Sequence, residues 1–173
     1  MNWDIRPTEG AGSLSLGMTI ENVSKVLDLK YPVIERASNP ADGSVTEYRG
    51  PSCAICHYRE ALLSGIDLRP SMVNVTFEGI DVFSMGSKAL LALLEKSNGK
   101  EGFYGFGFIV FNKLSVSAKG FFDGKKFYDP TAIDREDERS LGVFDQCEFS
   151  EEILSILNPF KSKNFRESTH NRS

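Results

Sequence analysis

The densest group of chemically capable side chains is Cys53-Ala54-Ile55-Cys56-His57. In the spacing C-x-x-C-H two thiols can attach the vinyl groups of a haem while the histidine ligates its iron. The same residues in another geometry would hold a metal or cycle a disulfide. A strand over this segment would put Cys53 and His57 on one face and Cys56 on the other. Cys56 and His57 therefore cannot serve each other as nucleophile and base. The only other histidine, His170, stands three residues from the C-terminus. Small buried side chains are the simpler account of the two cysteines. The expectation is no cofactor and no metal, with a haem- or metal-linked redox protein through Cys53, Cys56 and His57 as the alternative.

A second segment, Gly105-Phe106-Gly107-Phe108-Ile109-Val110-Phe111, follows most of the aromatic octamer with which RNA-recognition domains stack bases. Its first, basic position is taken by Tyr104, which removes a phosphate contact. Only residues 98–103 separate it from the preceding helical pattern, which leaves no room for the strand that fold places there. The sequence pI of about 5.3 also opposes phosphate binding. A core strand is expected instead, with Tyr104, Phe106, Phe108 and Val110 on one face and Phe103, Gly105, Gly107 and Ile109 on the other. The paired glycines would let another element approach closely. RNA binding through Phe106 and Phe108 is the third functional class.

Enzyme signatures are otherwise thin. No phosphate loop, H-E-x-x-H helix or calcium loop occurs, and the acidic run Asp134–Glu138 lacks the glycine and spacing of the last. The chain is therefore expected not to be an enzyme. Charge is distributed unevenly instead. Residues 129–152 carry nine acids against Arg135 and Arg139, a balance of −7, whereas residues 1–128 are neutral and residues 153–173 carry +3. Such a block is either a solvated loop or a field that attracts a basic partner.

The elements that must position these groups follow from 173 residues of ordinary composition, 40% apolar and 25% charged, which exclude a wholly disordered chain. Thirteen of the nineteen aromatics are Phe, so a Phe-rich core is expected. The longest apolar run, residues 89–94, is far short of the roughly 20 residues that cross a membrane. Residues 1–7 have neither a basic nor an apolar signal region, which points to a cytoplasmic location with free thiols. Strand-like alternation marks residues 14–16, 45–49, 66–68, 73–77 and 142–149. Residues 54–63 read as strand at first and as strand or helix from Arg59 onward. Helices are expected over 20–29, capped by Thr19; over 88–96, stopped by Gly99; and over 151–157, capped by Ser150. Residues 38–44 form a loop, and Asp123-Gly124 forms a hairpin turn leading to Phe127 and Tyr128. The result is an α+β domain over residues 1–158, a curved antiparallel sheet with two to three helices packed on it. A polar tail is expected over 159–173.

Residues 12–29, centred on Leu16-Gly17-Met18-Thr19 and running into Glu21-Asn22-Val23, resemble a recurring bacterial pattern of strand, L-G-M-[ST] and helix. It recurs in small outer-membrane lipoproteins, in β-lactamase-inhibitor-like domains and in immunity proteins of contact-dependent growth inhibition and other polymorphic toxin systems. The run from Tyr58 through Gly65-Ile66-Asp67-Leu68 to Phe77 resembles their strand region. Lacking a lipoprotein signal and a lipidated cysteine, the sequence is most similar to the immunity branch. That resemblance implies a binding protein that neutralises a cognate toxin, a nuclease in many cases, by stoichiometric association. The expected partner is a basic toxin domain, with no membrane and no direct nucleic-acid contact. The acidic residues Asp134, Glu136, Asp137, Glu138, Asp145 and Glu148 are the candidate partner-binding set.

Overall fold

The structure is a computed structural model that describes residues 1–127, 139–146 and 149–165. Fourteen short strands and three helices make it an α+β protein, as expected. The strands form two sheets rather than the single sheet expected. The smaller has the order β3 (Leu14–Ser15), β2 (Gly10–Ala11), β1 (Trp3–Arg6), β8 (Val75–Phe77), β9 (Ile80–Asp81), with β1 and β8 parallel. Trp3, Ile5, Leu14, Val75 and Phe77 are buried residues of this sheet, so its short strands still cover a core.

The larger sheet has nine strands, all antiparallel to their neighbours. One meander comprises β4 (Glu35–Ser38), β5 (Val45–Tyr48), β6 (Ile55–Arg59) and β7 (Leu62–Leu68). A second comprises β10 (Gly102–Gly105), β11 (Phe108–Phe111), β12 (Val116–Lys119) and β13 (Ser140–Phe144). The meanders join where β13 pairs with β7, Gly142 opposite Asp67. At the far edge β14 (Asn158–Phe160) returns to pair with β10.

Alternation along these strands separates two faces. Cys56, Tyr58, Leu63, Ile66, Val116, Ala118, Leu141 and Val143 point into one core. The small sheet enters that core together with α1 (Ile20–Leu27) and α2 (Ser87–Asn98), through Val23, Leu27, Leu90, Leu91 and Leu94. On the opposite, outer face, Val110 and Phe144 form a smaller cluster with Leu154 and Leu157, supplied by α3 (Glu151–Ser155) and the turn after it. All three helix boundaries follow local chemistry. Thr19 and Ser150 accept backbone N–H groups at the starts of α1 and α3, contributing about 1 kcal/mol each, and Gly99 ends α2 at φ +68°. Among the described residues no helix is long and apolar enough to cross a membrane.

Two departures from the expected elements share a cause. Glu60-Ala61, Glu78-Gly79 and Phe106-Gly107 each place two successive residues at positive φ, the backbone of a two-residue hairpin turn. Residues 59–63 are thus a hairpin between β6 and β7, with no helix. The expected single strand over residues 103–110 is likewise two strands. Phe106 sits at the tip of their hairpin, 78% exposed, so its core assignment fails, whereas Phe108 is half-buried against the outer cluster. Gly105 does lie beneath another element: a Cβ there would be 2.4 Å from Leu157 Cδ2. Gly107 instead serves the turn at φ +83°.

The polar tail expected from residue 159 also needs correction. Phe160 is fully buried against Phe111 and Phe122, Phe165 stacks on Phe160, and Ser162 hydrogen-bonds Glu95 of α2. Residues 159–165 therefore belong to the fold, held by the Phe-rich core; the rest of the expected tail lies outside the described residues.

Candidate functional site

Register places two rows of side chains next to each other on the outer face of the large sheet. Thr46, His57, Gly65 and Phe144 stand opposite one another across β5, β6, β7 and β13. One step along, Ile55, Asp67, Gly142 and Ser117 do so across β6, β7, β13 and β12. Directly opposed residues of antiparallel strands share a face, so these polar groups converge although 71 residues separate Thr46 from Ser117. With no side chains at Gly65 and Gly142, the face sinks into a hollow of about 270 Å³, walled by Phe144 and Phe149.

His57 bridges the two rows. Its Nε2 donates to Asp67 Oδ2 at 3.0 Å, since a carboxylate can only accept, and its Nδ1 is 3.1 Å from Thr46 Oγ1. Thr46 donates to a neutral ring and accepts from an imidazolium, so the arrangement accommodates both states. Asp67 keeps its second oxygen, Oδ1, directed over Gly142. A Cβ on Gly142 would be 3.0 Å from Oδ1 and 2.5 Å from Ser117 Oγ. At the rim Asp42 has its carboxyl held below the usual range, first by hydrogen bonds with Ser44 and then by the charge of Arg59. The hollow can thus accept hydrogen bonds and hold a positive charge.

The cysteines occupy the other side of the sheet. Cys53 and Cys56 are both fully buried in the main core, while His57 is half-exposed on the outer face. Cys53 therefore does not share a face with His57, because it precedes β6 in a turn and is not subject to strand alternation. Burial pushes the Cys53 thiol up to about 11 and that of Cys56 up to about 12, the opposite of what a metal ligand or redox thiol requires. Thiols and imidazole cannot meet one haem. Among the described residues no group of three His, Cys, Asp or Glu side chains is arranged to hold a metal ion.

Of the six acidic candidates only Asp145 falls in the described residues; Asp134, Glu136, Asp137, Glu138 and Glu148 lie outside them. Asp145 is exposed immediately after β13, and its backbone N–H donates to Ser64 of β7 at 2.8 Å. Glu151 and Glu152 are exposed in the first turn of α3. Beside them are the exposed Ile153 and Ile156, and the chain of rings Phe106–Phe108–Phe149. Carboxylates at this corner oppose a nucleic-acid backbone, and the turn at Phe106-Gly107 breaks the flat strand on which bases would stack.

The polar hollow and the apolar, acidic corner meet at Phe149, which lines the one and contacts Phe108 of the other. Sequence reasoning named His57 only for its neighbouring cysteines, and it missed Thr46, Asp67 and Ser117. Polar residues and glycines at alternate strand positions were the available signal. The chain matches no known family model, no curated protein and no solved structure.

Proposed function

We propose that this chain is an immunity-type inhibitor that neutralises a basic toxin domain, a nuclease for preference, by stoichiometric binding through the outer face and its acidic corner. Phe106 is the observation that carries the reading. A two-residue turn with positive φ at both positions favours Asn, Asp or Gly at the first, and a bulky side chain there has a conformational cost. Phe106 adopts φ +51° and leaves its ring 78% exposed, so burial within this chain does not offset that cost. An exposed aromatic on a stiff hairpin, in contact with Phe108, has the character of an interface anchor. The exposed Asp145, Glu151 and Glu152 would steer a basic partner, as would the other candidates Asp134, Glu136, Asp137, Glu138 and Glu148.

The test is binding to the toxin domain encoded beside this gene, with protection of cells as the functional readout. Phe106→Asn should weaken that complex about 30-fold or more, the effect of a 2 kcal/mol hot spot. Reversing Asp145, Glu151 and Glu152 to Lys should slow association roughly tenfold or more at low salt, the difference shrinking as salt rises. Full protection by both variants would remove this surface from the function.

A further inference from the structure

We infer that the hollow between Thr46, His57, Asp67 and Ser117 is a receptor for an arginine side chain of the protein partner. The inference rests on the proposed reading that a basic protein docks on this face. It rests also on the form of the hollow itself, which is independent of that reading.

The chemistry begins with what His57 leaves unused. Of the two Asp67 oxygens, Oδ2 is taken by His57 Nε2, and Oδ1 has no hydrogen-bond partner among the described residues. Ser117 Oγ has none there either, and both atoms crowd the position over Gly142, which leaves no room for a Cβ. Both residues also line the hollow, so two acceptors on different strands border one space, and one of them is anionic. Arg59 lies on the Asp42 side of the hollow, where it lowers that carboxyl, and Asp67 also borders a neighbouring hollow lined by Arg69, Lys119 and Arg139. A guest that uses both acceptors donates hydrogen bonds to each, and positive charge on it would favour the Asp67 carboxylate.

A guanidinium fits better than an ammonium on three grounds. Its planar fork can donate to acceptors on separate strands at once, whereas a lysine presents a compact, strongly hydrated charge. Its face can stack on an aromatic ring, and Phe144 and Phe149 form the apolar wall, their centroids 4.6 Å apart. A hollow of about 270 Å³ is shallow enough to take the end of one side chain, with the aliphatic stem lying against that wall. The hollow also continues the proposed interface through Phe149 and Phe108 to Phe106. An arginine seated there would be a second anchor beside the exposed ring, and paired anchors at a desolvated centre are what an interface of high affinity needs.

The decisive probe is Nα-acetyl-arginine amide titrated into the full chain, with its neutral isostere Nα-acetyl-citrulline amide as control. The readouts are the Gly142 amide and the His57 ring resonances. Arginine amide should give saturable shifts at both, citrulline amide should give none, and the lysine analogue should bind at least threefold more weakly. Asp67→Asn, which retains shape and removes the charge, should weaken the arginine response at least tenfold. Ser117→Ala, which leaves His57 untouched, should weaken it severalfold and keeps the test decisive should the first variant fail to fold. Equal responses to arginine and citrulline, or an unaltered response in both variants, would overturn the assignment. These measurements need no toxin, so the two ideas fail separately. A toxin domain that binds wild type and Asp67→Asn alike would remove the arginine pocket and leave the inhibitor reading standing. Arginine binding without any toxin complex would do the reverse.

Discussion

Removing Arg49 should be among the most damaging single substitutions in this protein, because it strands a buried carboxylate. Glu47 and Arg49 have fully buried side chains and pair at 2.9 Å on the core side of β5. Glu47 also accepts from Tyr58 at 3.0 Å and from Arg36, whose side chain is about half exposed. Arg49 ties the strand to the end of α1 through Asp28, Ser24 Oγ and the Tyr31 carbonyl. Breaking a buried pair by deleting one member costs about 3–5 kcal/mol, mostly as the penalty of the charge left behind. Arg49→Met should therefore lower the melting temperature by about 6–20 °C, at roughly 2–4 °C per kcal/mol for a chain of this size. Glu47→Leu with Arg49→Met should recover about 2 kcal/mol or more of that loss, since the outer partners Asp28 and Arg36 can turn to water. Acid sensitivity gives a second, signed readout. Burial alone would raise the Glu47 carboxyl, but hydrogen bonds from Arg49, Arg36 and Tyr58 prevail and hold it below its usual value. A lowered folded-state value contributes stability above the unfolded value of about 4.3, and that stability is lost as pH falls through the folded value. The gap between wild type and Glu47→Gln should accordingly narrow below about pH 4. Chemical denaturation across pH 2–7 measures both effects. An Arg49→Met cost below about 1 kcal/mol, or a gap constant with pH, would refute the reasoning.

Other consequences can be read from thermal melts and thiol chemistry. Phe106→Asn should leave stability unchanged or raise it by up to about 1 kcal/mol, because Asn suits the turn and the ring is not packed; a loss above about 2 kcal/mol would mean that the ring is core. Phe160→Ala should cost about 3–5 kcal/mol, whereas a frayed segment would give no change in the melt. Gly105→Ala should destabilise through the clash with Leu157, and Leu157→Ala in the same chain should relieve part of it, giving a measurable coupling. In a Cys147→Ser background, Cys53 and Cys56 should react with a disulfide reagent at pH 8 only as fast as the protein opens, since burial holds both thiols protonated.

Local signals carried most of the elements. The caps Thr19 and Ser150, the stop at Gly99, the loop over 38–44 and the alternation of Val45–Tyr48 depend on neighbouring residues alone, and each reads directly from sequence. The turns were opaque for a definite reason. Glu60-Ala61 contains no Gly, Asn or Asp, and Phe106-Gly107 has its Gly second and a large ring first, so neither carries the usual hairpin signature. β4 is exposed at all four positions and shows no alternation. The site was less legible than the fold. Thr46, His57, Asp67 and Ser117 come from four strands, and only the non-local pairing of β13 with β7 sets Ser117 and Gly142 beside Asp67. Sequence spacing holds no trace of that register.

Departures from ordinary patterning gather on one side of the large sheet. On the core side apolar residues alternate inward, and the buried Glu47 and Arg49 satisfy each other. On the outer face a phenylalanine holds a turn position better suited to Asn, and two glycines interrupt strands. There too a carboxylate oxygen and a hydroxyl crowd the Gly142 backbone so closely that a methyl group would not fit. The exposed Phe106 ring in particular forgoes packing within the chain. Proteins tolerate such losses chiefly where a second molecule returns the interaction energy. Because the hairpin tip, the aromatic wall and the hollow are contiguous through Phe108 and Phe149, one partner seated on this face would satisfy all of them at once.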